Sequence, residues 1–202
     1  MYLLNQLTEK SAAKRKIAAK NLRKQIVKNA GVFLLEALKK EVLDKRNWEV
    51  QYQLIMAIAQ NNYYHALPFL KTLINADIET MTKIGLGDAI SRLEYQYEDV
   101  LTTLPWAIEN KESSIVQGGI RSLALMHSIT ISENLILKII DFANKPENTD
   151  LIFWTCAASA GWRNEKAYDF LEKCLKDNSS PDETKKAASA ALKGKFLKWN
   201  IL

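Results

Sequence analysis

Apolar segments recur along the chain at a nearly constant spacing, and this period constrains the fold more than any other feature. Each segment has a central aliphatic residue, and successive ones are 35, 34, 35 and 32 residues apart. The aligned residues are Leu35, Leu70, Leu104, Ile139 and Leu171. Self-similarity at such a period is typical of chains built from stacked supersecondary units. The period therefore predicts a repeat protein of about five units.

The apolar pattern within each unit is helical, and strand-like alternation is nearly absent. Each aligned segment follows another with small residues at helical spacing, which would let two helices approach closely. Gly85 and Gly119 lie one period apart, so a shared packing role is expected for them. The 7 glycines and 4 prolines are few for the frequent turns of an all-β protein. The sequence thus predicts an all-α fold of helix pairs.

The helix pairs resemble HEAT or HEAT-like (lyase-type) repeats. The pattern matches best at Ala160-Gly161, Ala167, Phe170-Leu171, Cys174-Leu175 and Asp177. The resemblance implies a right-handed α-solenoid of about five antiparallel helix pairs plus a terminal helix. It implies a single repeat domain over 1–202, with repeats at 8–46, 47–77, 78–111, 112–148 and 149–180 and a terminal helix at 181–202. The arginine usual early in the first helix is mostly absent, which leaves the HEAT subfamily open.

Basic residues are concentrated at the two ends of the chain. Residues 1–28 carry eight basic side chains and one acid, within a net charge of +5 for the whole chain. Lys16, Lys20, Lys24 and Lys28 follow a four-residue spacing with Arg23 beside them, which predicts one helical stripe. We favour a solvated end cap for this stripe. The alternative is an acidic partner, namely nucleic acid, an acidic protein or an anionic surface, and the scarcity of arginine weakens the nucleic-acid version.

Tyrosines are expected at one edge of the second and third pairs. Tyr63 and Tyr64 fall at the predicted turn of pair two, and Tyr97 lies one period after Tyr63. Each ring could pack on its own turn, but the repetition makes a shared binding edge plausible. The concave face of a solenoid would be lined by second helices, whose candidate contact residues are Glu36, Lys39, Lys40, Lys71, Thr103, Trp106, Asp169 and Lys173. Trp106 could equally belong to the core.

The sequence contains no complete catalytic constellation. The two histidines, His65 and His127, form no HExxH pair, and no Cys/His cluster has zinc spacing. Cys156 and Cys174 lie among apolar helical residues and are expected to be buried, reduced thiols. No catalytic residue, metal or cofactor is predicted. The sequence favours a protein that is not an enzyme, and an enzymatic function is kept as an alternative.

Two enzymatic alternatives follow from the resemblance. HEAT-like alkylpurine DNA glycosylases, or other DNA-binding repair proteins, need a carboxylate, aromatic faces and basic residues. Here these would be Asp150, Trp154, Trp162 and Arg163. Helix-terminal charge placement explains Asp150, and core packing explains Trp154, without that activity. The second alternative is a bilin lyase-type repeat protein, for which no residue argues.

The expected function is therefore a non-catalytic scaffold or adaptor. We expect it to bind another macromolecule, most plausibly a protein, through its concave face or its tyrosine edge. No window approaches a membrane span, and the apolar start of the chain is too short for a signal-peptide core. A cytoplasmic location is expected. The partner and the oligomeric state are left open by the residues.

Overall fold

The structure is a computed structural model, and it describes residues 2–127 and 130–198. Over these residues it contains twelve α-helices and four short 3-10 turns, and no strand. The α-helices are α1 (Tyr2–Gln6), α2 (Ala12–Lys24), α3 (Ala30–Glu41), α4 (Trp48–Gln60), α5 (Leu67–Thr72), α6 (Thr80–Glu98), α7 (Thr103–Glu109), α8 (Ser113–Met126), α9 (Glu133–Ala143), α10 (Thr149–Ala158), α11 (Glu165–Lys176) and α12 (Asp182–Leu192). The predicted all-α class is confirmed.

Two α-helices fall inside each of the five predicted repeat intervals, from α2 with α3 to α10 with α11. Helix α12 lies in the predicted terminal segment, and α1 precedes the first interval. The chain divides into two compact units. The first runs to Leu104 and includes Ser114–Gly119, and the second comprises Pro105–Ser113 and the chain from Ile120 onwards. The single-domain assignment and the repeat boundaries remain predictions.

In the first unit, the first helices of successive pairs pack side by side: α2 contacts α4, and α4 contacts α6. Helix α2 buries Ala18, Ala19 and Leu22, while α4 buries most of its length. Helix α3 packs on α4, and α5 packs on α6. Helices α2 to α6 therefore bury apolar residues against helices one or two positions away in the chain.

The closest helix approach in this unit depends on glycine. A Cβ on Gly87 would lie 2.2 Å from the carbonyl oxygen of Ile115, and one on Gly118 would lie 2.0 Å from that of Ile84. Both obstacles are backbone atoms, so any side chain there would force α6 and α8 apart. Gly85 and Gly119, the pair expected to share a packing role, both lie close to side chains of other helices: an added Cβ would be 2.9 Å from Tyr52 at Gly85 and 2.9 Å from Leu104 at Gly119.

The aligned aliphatic residues are buried, with one correction. Leu70, Leu104 and Ile139 are 0% exposed and Leu171 is 1% exposed. In the first pair the buried residue is Leu34, at 0%, while Leu35 is only half-buried. One residue turns a helix by about 100°, so a one-residue error in alignment moves a side chain off the packed face. The residue two positions after each of these five buried aliphatic residues is exposed. These exposed residues are Glu36, Thr72, Trp106, Asp141 and Lys173.

The second unit is organised around α12, which packs on both α10 and α11, while α9 contacts the same two helices. Cys156 on α10 and Cys174 on α11 are buried and free, as predicted. The chain after α12 returns to stack the ring of Phe196 on His127 at 5.0 Å between ring centroids. No helix in the described part of the chain is both long and apolar enough to cross a membrane.

Candidate binding surfaces

The outer surface of α3 carries exposed apolar side chains. Val32 and Phe33 are each 52% exposed. Beside them, Lys39 bonds Glu36 at 2.8 Å, and its ammonium lies 6.0 Å from the ring centre of Phe69 on α5. Exposed aromatic and aliphatic groups on a helix surface are characteristic of sites that bind other proteins. This surface includes the predicted contact residue Lys39 and lies next to Lys40.

A groove of about 440 Å³ borders this surface, between α1 and α3. Its apolar lining comes from Leu4, Leu7, Phe33 and Ala37. Its polar lining comes from Thr8, Glu9, Arg15, Glu36, Lys40, Glu41 and Asn47. The lining is therefore mixed, with more polar than apolar residues, and the volume is in the usual range of binding pockets.

A buried ion pair holds one wall of the groove. Arg15 donates from Nε and Nη2 to the two carboxylate oxygens of Glu41, the second bond being 3.2 Å long. Its Nη1 donates to the carbonyl oxygens of Glu9 and Lys10, each at 2.8 Å. The guanidinium thus ties the α1–α2 connection to the end of α3. These bonds give Arg15 and Glu41 a structural role in fixing the groove.

Lys71, a predicted contact residue, is held by a buried carboxylate. Its Nζ lies 2.7 Å from Oε1 of Glu94, which is 0% exposed. Glu94 also accepts bonds from the backbone N–H groups and the hydroxyls of Thr102 and Thr103, at 2.5–3.1 Å. Burial raises the pKa of this carboxyl, but the bonds from Lys71, Thr102 and Thr103 outweigh it, and the pKa lies below its usual value. Glu94 therefore anchors the N-terminus of α7.

Tyr64, in the 3-10 turn before α5, and Tyr97, near the end of α6, form a clasp between these two elements. The rings of Tyr64 and Tyr97 stack with centroids 4.8 Å apart. The hydroxyl of Tyr97 donates to the backbone oxygen of Asn62, and that of Tyr64 donates to Glu98 at 3.0 Å. The bond to Glu98 and the negative charge there raise the pKa of Tyr64.

Tyr63 and Tyr97 have different local settings, and a shared binding edge remains a prediction. Tyr63 packs over Gly31, where an added Cβ would lie 2.1 Å from its ring. Tyr97 sits in the last turn of α6, because that helix continues to Glu98. Tyr97 remains 50% exposed, so part of the clasp is open to solvent.

The lysine stripe is split between two faces. Lys16 bonds Glu49 on α4 at 3.0 Å, and Arg23 bonds Gln53 at 3.4 Å and lies 5.7 Å from the ring centre of Tyr52. Both therefore face α4. Lys28 follows the end of α2 and lies in a turn, so it does not extend the helical stripe. Lys20 and Lys24 remain on the outer side.

In the second unit, the second helices also expose aromatic groups. Trp106 on α7 is 37% exposed and Tyr168 on α11 is 43% exposed. The position of Trp106 answers the question left open by the sequence, because a core residue would be buried. Between α9 and α11 lies a groove of about 450 Å³. Its lining comprises Leu137, Ile140, Asp141, Asn144, Lys166, Asp169, Phe170 and Lys173, which includes two of the predicted contact residues.

The residues of the glycosylase alternative have ordinary structural settings. Asp150 is exposed in the first turn of α10, where a negative charge favours the helix dipole. Trp162 is 5% exposed, so its ring offers no free face to a flipped base. Trp154 lies edge to face with Phe153 at 5.0 Å, and Arg163 is exposed.

The cysteines and the potential metal ligands are the remaining candidate reactive groups. The contact with Cys174 and burial both raise the pKa of Cys156, so its thiol stays protonated and is a poor nucleophile. In the part of the chain that the structure describes, no three His, Cys, Asp or Glu side chains are grouped so as to hold a metal ion.

Comparison with models of protein families, with curated proteins and with solved structures gives no match. The HEAT resemblance rests on period and packing alone.

Sequence reasoning missed three features of these surfaces. It did not predict α1, so the groove between α1 and α3 was not foreseen. Val32 and Phe33 lie in an unbroken apolar run, where the pattern gives little sign of which residues face solvent. Glu94 pairs with groups from two other elements, and no local signal in the sequence reveals such a pairing.

Proposed function

We propose that the helix pairs form a HEAT-like, right-handed α-solenoid that serves as a non-catalytic scaffold for another protein. The presence of two helices in each predicted interval supports this arrangement, as does the packing of α2 on α4 and of α4 on α6. In such a stack each pair buries its apolar stripe against its neighbours and leaves its second helix available on one face. The proposal extends a fold-level argument to a specific surface.

The observation that carries the binding role is the exposed apolar surface of α3 beside the groove. Val32 and Phe33 are half exposed, whereas the charged neighbours Glu36 and Lys39 already neutralise each other. The charges of this surface are paired with each other, and its apolar groups are exposed. Such a surface gains most binding free energy from an apolar partner. The partner would place an aliphatic or aromatic anchor in the groove and cover Phe33.

Trp106 and Tyr168 extend the argument to other second helices. Tryptophan and tyrosine are frequent anchors in interfaces because they bury a large area with few rotatable bonds. Both are open to solvent on helices at the same place in their pairs as α3. Lys71 is assigned a structural role within the first unit, because its ammonium pairs with the buried carboxylate of Glu94. The stacked pair Tyr64 and Tyr97 is likewise assigned a role in stabilising the fold.

A cytoplasmic location accompanies this proposal. Its support is that Cys156 and Cys174 are free thiols, as is usual in a reducing compartment.

Site-specific photo-crosslinking in cells tests the binding role. A photoreactive amino acid is placed at Phe33 or Lys40, and at Gln60 on α4 as an exposed control. We expect a discrete crosslinked protein from the first two positions and none from Gln60. Phe33→Ala should abolish the crosslink at position 40, whereas Met81→Ala, which removes another exposed apolar side chain, should not. Equal crosslinking at all three positions would remove the α3 surface as the interface.

A further inference from the structure

Helix α2 presents a second surface, on the side opposite its buried stripe. Ala18, Ala19 and Leu22 face the core, and Lys16 and Arg23 point toward α4. At 100° per residue, Ile17, Lys20 and Lys24 fall within about 60° of arc on the outer side. Ile17 is 55% exposed, so an apolar side chain lies beside these two lysines in solvent.

The positive charge of this surface is not neutralised within the molecule. Among the residues that the structure describes, Lys20, Lys24 and Lys28 form no ion pair, and α2 itself contains no acid. The turn after α2 adds Ile26, which is 70% exposed, between Lys24 and Lys28. We call Ile17, Lys20, Lys24, Ile26 and Lys28 the α2 patch. A solvated end cap accounts for the lysines but not for two exposed isoleucines among them.

Three classes of anionic partner fit the charge: nucleic acid, an anionic bilayer and an acidic protein. The exposed isoleucines discriminate between these classes. A nucleic-acid backbone offers phosphates but little that would cover an aliphatic side chain, and Arg23 is engaged by Gln53 and Tyr52. A bilayer would require a broad face of large apolar side chains, yet Leu22, the other large apolar residue of α2, is buried, and α2 packs on α4. An acidic protein segment supplies carboxylates for the lysines and apolar side chains for Ile17 and Ile26.

We propose that the α2 patch binds an acidic protein segment that carries apolar side chains among its carboxylates. The lysines attract and orient the segment, and contact with Ile17 and Ile26 selects it over a purely polar polyanion. This surface is separate from the α3 surface and its groove, so the two can be occupied and tested independently.

Fluorescence anisotropy with four labelled probes tests the assignment. The probes are a helix-forming peptide of glutamates and leucines, the same peptide with glutamine for leucine, a short DNA duplex, and phosphatidylserine vesicles. We expect the leucine-bearing peptide to bind about tenfold more tightly than its glutamine counterpart, because it covers the two isoleucines. Its affinity should fall as salt is raised from about 50 mM to about 200 mM.

Variants assign the effect to residues. Ile17→Ser with Ile26→Ser should reduce the preference for the leucine-bearing peptide to near unity, while Leu43→Ser, which alters a side chain 85% exposed elsewhere, should leave it unchanged. Lys20→Glu with Lys24→Glu should weaken both peptides, whereas Lys186→Glu with Lys193→Glu on the second unit should not. Far-UV circular dichroism confirms that each variant is folded.

Equal binding of the two peptides would overturn the proposal. So would tighter binding of the duplex or the vesicles than of the leucine-bearing peptide, or the absence of salt-dependent binding by any probe. Phe33→Ala serves to separate the two surfaces, since it should alter the crosslink at the α3 surface and leave peptide binding at the α2 patch intact.

Discussion

Replacement of Glu94 by glutamine should destabilise the protein by about 2–3 kcal/mol. The carboxylate is buried, and all of its partners are donors: two backbone N–H groups, two hydroxyls and the ammonium of Lys71. Glutamine fills the same volume but replaces one acceptor oxygen with an NH₂ group. The Thr103 hydroxyl, buried with its residue at 6% exposure, must then reorient, and the charge-assisted bond from Lys71 is lost.

The size of this loss in stability depends on which of the former partners of Glu94 can bond to water instead. A buried donor left without a partner costs about 1–3 kcal/mol, and a charge-assisted bond contributes more than a neutral one. Lys71 is 37% exposed, so its ammonium regains solvent and that bond is worth less than a fully buried one. Lys71→Met is the matched comparison, because it leaves all four threonine bonds in place. We expect it to cost about 1 kcal/mol.

The pH dependence supplies an independent signature. The pKa of Glu94 is lowered in the folded protein, so its contribution is fully present above the unfolded pKa of about 4.3. The contribution is lost as pH falls through the lowered folded value. Hence the difference in unfolding free energy between wild type and Glu94→Gln should be constant near neutral pH and shrink on acidification. Urea unfolding followed by far-UV circular dichroism measures both quantities. A difference below about 0.5 kcal/mol at pH 7, or one that does not change with pH, would refute the reasoning.

Three further predictions concern the packing of the first unit. Gly87→Ala should destabilise by about 1–3 kcal/mol, because its Cβ meets backbone, whereas Gly85→Ala, which meets a movable tyrosine side chain, should be nearly neutral in the same urea assay. Single and double replacement of Tyr64 and Tyr97 by alanine should show a coupling energy of about 0.5–1.5 kcal/mol, and additivity would argue against the clasp. Asn61→Ala removes bonds to Val27 N, Leu22 O and Ala57 O, and a drop in thermal midpoint equivalent to about 1–3 kcal/mol is expected; an unchanged midpoint would contradict that role.

The helices were predictable because their signals are local. Apolar residues at helical spacing, small residues in the first helix of each pair and few glycines or prolines all lie within short windows of sequence. The period then placed two α-helices in each predicted interval. Repeat proteins favour this kind of prediction because each unit contacts mainly its neighbours.

Register and rotation were harder, because they depend on how two helices meet. Leu35 and Leu34 are adjacent apolar residues, and repeat steps that vary by a few residues do not choose between them. The same difficulty explains why Gly87 and Gly118, rather than Gly85 and Gly119, carry the closest approach. The two sets differ by two positions on α6 and by one position on α8.

The candidate surfaces were partly predicted. The basic residues of α2 were visible in the sequence, but their division between two faces depends on acceptors from α4, notably Glu49. The ammonium of Lys71 is paired with the carboxylate of Glu94, which lies 23 positions away on another helix, so the sequence around Lys71 does not reveal this pairing. The end of α6 at Glu98 was hard to locate, because no glycine or proline marks it and Asp99 adopts the left-handed conformation instead.

Distances between spin labels on successive second helices test the proposed stacking of the pairs most directly. The label positions are the exposed sites two residues after each buried aliphatic, namely Glu36, Thr72, Trp106, Asp141 and Lys173, with the buried thiols of Cys156 and Cys174 replaced by alanine. In a solenoid, the distance from the label at position 36 should grow with every pair, by about 8–10 Å per step. A label at position 141 or 173 that lies as close to position 36 as the label at position 72 does would contradict the stacking.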